Sequence, residues 1–138
     1  DYQQAKVIER MVADLDFPLE IIVCPTVREP DGLATSSRNA YLDADQRRQA
    51  TALYGALKVA ERMICESHPP AGEVIEAMRT HIATGAPTGE IDYVRIVDPE
   101  TLRDVQTTDR AVLVALAVKI GPARLIDNLV VAGPCGGA

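Results

Sequence analysis

The sequence predicts an α+β fold, with helices in the first part of the chain and a small sheet in the second. Apolar residues recur at helical spacing in three segments that end before residue 85. Beyond residue 89 the pattern changes to three short apolar segments typical of strands. With 138 residues and 47% hydrophobic content, the chain is long enough to bury one core.

The chain opens with a helix followed by a strand. Within 2–15 the helical spacing is carried by Val7, Ile8, Met11, Val12 and Leu15, and Pro18 ends the helix. The β-branched run 20–24 predicts a strand that is buried on both faces. This pair is half of a βαβ unit. Because the chain starts inside an apparent helix, we expect it to be a piece of a longer protein.

Two further helices are predicted in the middle of the chain. Asp43 and Gln46 have the spacing of a capping box, which places a helix start at Asp43. Its buried face is predicted to contain Ala50, Leu53, Tyr54, Leu57, Ala60 and Ile64. The third helix is marked by Val74, Ile75, Met78 and Ile82, and the Gly- and Pro-rich turn 85–89 closes it.

Three strands are predicted in the last third of the chain, at 91–97, 111–120 and 125–131. The second is apolar on both faces, which predicts a central position in the sheet. We expect the two preceding helices to cover this sheet. The glycine-rich tail 133–138 has nothing to bury and is expected to fray.

Charge and composition exclude several classes of function. Fourteen basic against twenty acidic side chains give a net charge of −6, opposite to the charge of a nucleic-acid binder. The longest apolar stretch, 111–120, is too short to cross a bilayer, and we expect a cytoplasmic protein. The three cysteines lack metal-ligand spacing, so we predict no metal site and reduced thiols.

The segment 26–40 is the strongest candidate for a functional loop. It gathers hydroxyls, turn-forming residues and the guanidinium of Arg38 between a strand and a helix. Hydroxyls and turn amides donate to phosphate oxygens, and an arginine can bind two of those oxygens at once. The alternative, that Ser36 and Ser37 merely form a hydroxyl-capped turn beside a solvated Arg38, stays open at this point.

Several motifs, taken in order, carry a resemblance to a known family. They are DYQQ (1–4), PTVRE (25–29), DGLA (31–34), SSRN (36–39), YL (41–42), IDYVRIVDPETL (91–102) and ARLIDN (123–128). Their order and spacing resemble the second half of the pantothenate synthetase (pantoate–β-alanine ligase) family. The likeness covers nearly the whole chain.

The resemblance implies a fold and a domain division. Residues 1–35 would be the last helix–strand unit of a Rossmann-like nucleotidyltransferase domain that binds ATP. Residues 36–132 would be a small C-terminal lid domain of helices packed on a three-stranded sheet, with 133–138 as a frayed tail.

The resemblance also implies a reaction. ATP, accompanied by Mg²⁺, and pantoate form pantoyl adenylate and pyrophosphate. The amine of β-alanine then attacks the adenylate, which releases pantothenate and AMP. The complete enzyme would be a homodimer that acts on these small molecules, without nucleic acid or membrane.

Site residues follow from the same resemblance. Asp1 is similar to the acidic residue near the ATP ribose, Gln4 to the amide that holds pantoate, and Val27 to a backbone contact with adenine. The loop over the ATP phosphates would contain Thr35, Ser36, Ser37 and Arg38. Ser36, Ser37 and above all Arg38 would be catalytic, because the guanidinium can stabilise the charge that builds on departing pyrophosphate.

One motif of the family has no counterpart in this sequence. The family has two closely spaced histidines near its N-terminus, whereas His68 and His81 are the only histidines here. We therefore expect negligible activity from this chain alone. Two other functions stay open: a non-catalytic dimerisation or interaction module with exposed apolar surface at 2–15 and 21–24, and a nucleotide-binding domain of different specificity.

Overall fold

A computed structural model describes residues 1–133 and has the predicted α+β architecture. In these residues the elements are α1 (Tyr2–Asp14), a short 3₁₀ helix (Ser37–Tyr41), α2 (Ala44–Ser67), α3 (Ala71–Gly85), β1 (Glu90–Val97), β2 (Ala111–Ile120) and β3 (Ala123–Ala132). The fold class is confirmed. None of the helices within residues 1–133 is long and apolar enough to span a membrane.

The sheet is antiparallel, with β2 between β1 and β3 as its apolar faces predict. Ile120 pairs with Ala123, so a two-residue turn joins β2 to β3. Gly121 adopts a φ of +54° in this turn, a conformation that glycine reaches without steric cost. Further along the same register, Asp127 of β3 lies opposite Leu116 of β2.

Helices α2 and α3 form the main core with the sheet. The largest fully buried side chains are Leu53, Leu57, Ile64, Met78, Ile82, Ile96, Leu116, Ile120, Val74, Val112, Val114 and Val118. Each such side chain contributes about 1.5–3 kcal/mol relative to exposure. They come from both helices and from β1 and β2. Leu125 and Val131 of β3 belong to the same core, so the sheet and its helical layer form one packed body.

The limits of α2 agree with the sequence. The Asp43 carboxylate accepts from the Gln46 backbone at 2.9 Å, and the Gln46 side chain accepts from the Asp43 backbone at 3.1 Å, which completes the capping box. The helix ends at His68, whose φ of +48° and following prolines prevent another turn.

The strand predicted at 20–24 is wrong. This segment pairs with no strand of the described sheet, and Ile22 is 76% exposed. A strand buried on both faces needs hydrogen-bonded neighbours and covering layers. Within residues 1–133 the sheet contains only β1, β2 and β3, and none of them reaches this segment.

Helix α1 forms as predicted but lies at the edge of the body. None of its residues is buried, and Val7 is 61% exposed. Leu15, which caps the C-terminal end of α1, is 60% exposed. Its contacts include the Tyr2 hydroxyl donating to the Pro99 carbonyl at 3.2 Å and an ion pair between Lys6 and Glu100. Its apolar face is therefore open to solvent.

Three smaller expectations have different outcomes. The thiol of Cys24 is free and exposed, whereas Cys65 is disulfide-bonded, so the prediction of a reduced thiol is wrong there. The predicted frayed tail lies outside the described residues except for Gly133. The domain division after residue 35 stays a prediction.

Candidate functional site

The loop that carries the candidate site begins as a tight hairpin. The Thr35 amide donates to the Val27 carbonyl at 2.9 Å, and the Glu29 amide donates to the Leu33 carbonyl at 2.8 Å. Between these bonds Arg28 and Ala34 form an antiparallel bridge. Residues 27–35, called the hairpin below, are therefore an ordered unit rather than a linker.

Gly32 lets this hairpin lie against α2. Its φ is +91°, and a Cβ built on it would come within 2.1 Å of the Tyr54 ring. Only glycine satisfies both conditions, because other residues rarely adopt this φ and would collide with the ring. The neighbouring Leu33 is buried and adds an apolar contact to the core.

A 3₁₀ helix follows the hairpin and presents the predicted phosphate-binding residues. Ser36 is its N-cap, and the Ser36 hydroxyl accepts from the Arg38 amide at 3.2 Å. The hydroxyl proton remains able to donate to a ligand. Asn39 donates to the Ala34 carbonyl at 3.1 Å, which joins the helix to the hairpin.

The Arg38 side chain differs from the other arginines around the loop. It is exposed and forms no ion pair within residues 1–133. Arg28 instead pairs with Asp127, and Arg47 pairs with Asp31. The positive charge of Arg38 is therefore available to an anion.

A cleft of about 440 Å³ opens between this loop, β3 and the start of α1. Its walls contain Asp1, Gln4, Thr26, Leu33, Ala34, Thr35, Ser36, Arg38, Asn39, Leu53, Arg124, Leu125, Ile126, Asp127 and Asn128. This volume falls within the range of small-molecule sites.

The cleft brings together five of the seven residues predicted for the site. Asp1, Gln4, Thr35, Ser36 and Arg38 line it, although Asp1 and Arg38 are 37 positions apart in the chain. The remaining two, Val27 and Ser37, are exposed and do not line the cleft.

Sequence reasoning missed the contribution of β3. Arg124, Asp127 and Asn128 line the cleft, but the motif ARLIDN was matched as a landmark without a role in the site. The available indication in the sequence was an acidic residue, Asp127, within an otherwise apolar strand. The structure shows that Asp127 is only 5% exposed. The sequence could not show that β3 runs beside the loop.

The family follows from comparison with known proteins. The family model described as pantoate-beta-alanine ligase matches residues 1–130. The chain belongs to this family. The resemblance expected from the motifs is therefore confirmed.

Individual relatives agree with this assignment. Pantothenate synthetase of Thermotoga neapolitana is 51% identical over 130 residues, and that of Desulfatibacillum aliphaticivorans is 53% identical over 131. Each alignment covers 94% of this chain and 46% of the relative. The chain thus spans about half the length of the family members it matches.

Solved structures of the family have the same fold. Pantothenate synthetase from Thermus thermophilus matches with a TM-score of 0.87 at 41% identity, over 94% of this chain and 46% of that one. Pantoate-beta-alanine ligase from Francisella tularensis, solved with β,γ-ATP and β-alanine, matches with a TM-score of 0.59 at 29% identity, over 94% and 40%.

The two histidines of this family member lie outside the cleft. His68 caps α2 and has a buried Nε2 atom without a hydrogen-bond partner in the described structure. His81 packs against α2, where its ring leaves no room for a side chain at Gly55. Their surroundings indicate structural roles.

Proposed function

We propose that this chain forms the ATP-facing C-terminal part of an enzyme that condenses pantoate with β-alanine through pantoyl adenylate. The observation that carries the proposal is the convergence of Asp1, Gln4, Ser36 and Arg38 on one cleft, in a chain of this ligase family. The Francisella relative, solved with β,γ-ATP and β-alanine, supports the same assignment.

Each residue of the cleft has a chemical role in this proposal. Arg38, which forms no ion pair within residues 1–133, stabilises the triphosphate as pyrophosphate departs, and Ser36 donates its hydroxyl proton to a phosphate oxygen. Asp1 accepts from ribose hydroxyls, and Gln4 binds pantoate. Thr35 lines the same wall, where its hydroxyl donates to Glu29 at 3.3 Å, and we assign it to the phosphate-binding loop.

Val27 and Ser37 flank the cleft instead of lining it. We assign them contacts with the nucleotide only after the loop has closed, the Val27 backbone with adenine and the Ser37 hydroxyl with phosphate. Closure of a loop over its ligand is a common step in enzymes of this kind of chemistry.

The proposal needs no protein cage for Mg²⁺. Residues 1–133 contain no group of three or more His, Cys, Asp or Glu side chains arranged to hold a metal. Magnesium usually keeps several waters and is carried by substrate phosphates. It would therefore enter with ATP and neutralise part of the phosphate charge.

We further propose that the chain alone is inactive, because it supplies one wall of a site that must position two substrates. The test is pantoate-dependent exchange of pyrophosphate into ATP. It is measured for the chain alone and after addition of the N-terminal half of a pantothenate synthetase. We expect no exchange alone and restored exchange on mixing. Exchange by the chain alone contradicts its inactivity, and no exchange after mixing contradicts the catalytic proposal.

A second candidate is a non-catalytic dimerisation module derived from the ligase. It is supported by the apolar side chains exposed on α1 and on 19–27, among them Met11, Ile22 and Val27. Exposed patches of this kind mark interaction surfaces. A concentration series in size-exclusion chromatography tests it, and a monomer at every concentration contradicts it.

The remaining parts of the family assignment belong to the same proposal. They are the Rossmann-like origin of residues 1–35, a homodimeric complete enzyme and a cytoplasmic location. Pantoate and β-alanine are the proposed substrates.

A further inference from the structure

Arg28 makes a set of contacts that the proposed chemistry does not use. Its guanidinium donates to the two carboxylate oxygens of Asp127 at 2.6 and 3.0 Å, and to the Gly32 carbonyl at 3.0 Å. It also lies 4.2 Å from the centre of the Tyr54 ring. The side chains of Arg28 and Asp127 are only 18% and 3% exposed, so the pair is largely withdrawn from solvent.

These contacts join three separate elements. Asp127 belongs to β3, where it pairs with the central strand β2, and Tyr54 belongs to α2. Arg28 belongs to the hairpin, where its bridge partner is Ala34, the residue before Thr35. Holding Arg28 in place therefore sets the position of the backbone from which 35–38 extends.

Stability alone does not account for this buried pair. Removing two charges from water costs about as much as their attraction returns, and apolar pairs of similar volume are often as stable or more so. Leu33 already fixes the hairpin to the core by an apolar contact. A bidentate ion pair that also stacks on an aromatic ring fixes the orientation of the arginine side chain, which an apolar contact does not.

We propose that Arg28 and Asp127 are positioning residues that orient the segment 35–38 towards the cleft. The inference rests on the proposed function, because it assigns the orientation a role in ATP binding. Asp127 reaches the wall of the cleft, but its oxygens are both occupied by Arg28. Neither residue is assigned a contact with the nucleotide.

The test compares activity with stability in a ligase reconstituted from this chain and the N-terminal half of a pantothenate synthetase. The variants are Arg28→Met, the double variant Arg28→Met/Asp127→Leu, and Arg47→Met as the control. Arg47 pairs with Asp31 at 2.7 Å on the same hairpin but does not line the cleft. The kcat and the KM for ATP in pyrophosphate exchange, and the urea unfolding midpoint, are measured for each.

We expect Arg28→Met to lower kcat/KM for ATP on the order of tenfold or more, because small misplacements of binding groups are costly. The double variant should recover the unfolding midpoint without recovering kcat/KM. Arg47→Met should stay within about twofold, as expected for an exposed pair. The inference is overturned if the double variant recovers both the unfolding midpoint and kcat/KM. It is also overturned if kcat/KM falls across the variants only in proportion to the loss of the unfolding midpoint.

Arg38→Ala, measured in parallel, separates this inference from the proposed function. If Arg38→Ala slows exchange while Arg28→Met does not, the positioning inference fails and the proposed function stands. If neither variant changes exchange, both fail.

Discussion

Arg38 is the residue on which the catalytic proposal depends most. It lines the cleft, yet within residues 1–133 it has no carboxylate partner, whereas the nearby Arg124 pairs with Asp92 at 2.7 Å. An unpaired arginine contributes little to folding and can still bind an anion. Its removal should therefore affect activity and stability to very different degrees.

Arg38→Ala in the reconstituted ligase should slow pantoate-dependent pyrophosphate exchange by about 10²- to 10³-fold, the usual loss for one group that stabilises developing charge. The free energy of unfolding should change by less than about 0.5 kcal/mol. Arg10→Ala, which removes an exposed arginine of α1 paired with Asp14, is the control and should leave exchange unchanged. Equal losses of activity and stability in Arg38→Ala would contradict its role.

Gly32 and Gly72 provide a second contrast at the scale of single residues. Gly32→Ala should lower the free energy of unfolding by at least about 2 kcal/mol, because the methyl group meets Tyr54 at a φ that alanine rarely adopts. Gly72 in α3 has nothing within 4 Å of a built Cβ, so Gly72→Ala should raise stability by about 0.5–1 kcal/mol. Urea unfolding measures both, and similar effects would contradict the hairpin geometry.

Among the elements, α2 depends on its capping box. Asp43→Ala removes the acceptor for the Asp45 and Gln46 amides and should lower the free energy of unfolding by about 1 kcal/mol. Glu66→Ala, at an exposed position near the other end of α2, should stay within about 0.5 kcal/mol. Urea denaturation of the two variants checks the difference, and an equally small effect of Asp43→Ala would mean that the cap is dispensable.

The elements that were predicted correctly are those whose formation depends on residues close together in the sequence. Helices α1, α2 and α3 follow from apolar spacing and caps, and the central place of β2 follows from its two apolar faces. The segment 20–24 has the same kind of local pattern, but a strand is completed only by neighbours, and the described sheet offers none.

The residues of the site also differ in whether local sequence could predict them. Ser36 and Arg38 were predictable because their chemistry is contiguous in one loop, and Asp1 and Gln4 because the family motif contains them. Arg124 and Asn128 reach the cleft only through the pairing of β3 with β2, which no local pattern specifies. The partners Arg28 and Asp127 are 99 positions apart in the chain, and no local sequence pattern predicted their ion pair either.

For the whole molecule, folding depresses the pKa of several aspartates. Hydrogen bonds from the Thr101 amide and hydroxyl lower the pKa of Asp98 below its usual 3.8. The others with lowered pKa are Asp31, beside Arg47, Asp104, beside Arg95, and Asp109, which accepts from the Thr107 hydroxyl. A carboxylate whose pKa is lower when folded binds more protons when unfolded, so acid favours unfolding.

The stabilisation from these four carboxylates is present above about pH 4 and is lost as the pH falls through their lower folded values. The melting temperature should therefore decrease between about pH 5 and pH 2.5, and Asp98→Asn should reduce the size of that decrease. Thr101→Val removes the hydroxyl donor but leaves the amides of Glu100 and Thr101, so its response should be intermediate. Calorimetry across this range measures all three proteins. If Asp98→Asn has the same pH response as the unchanged chain, the hydrogen bonds around Asp98 do not act on folding, and the acid sensitivity must come from other carboxylates.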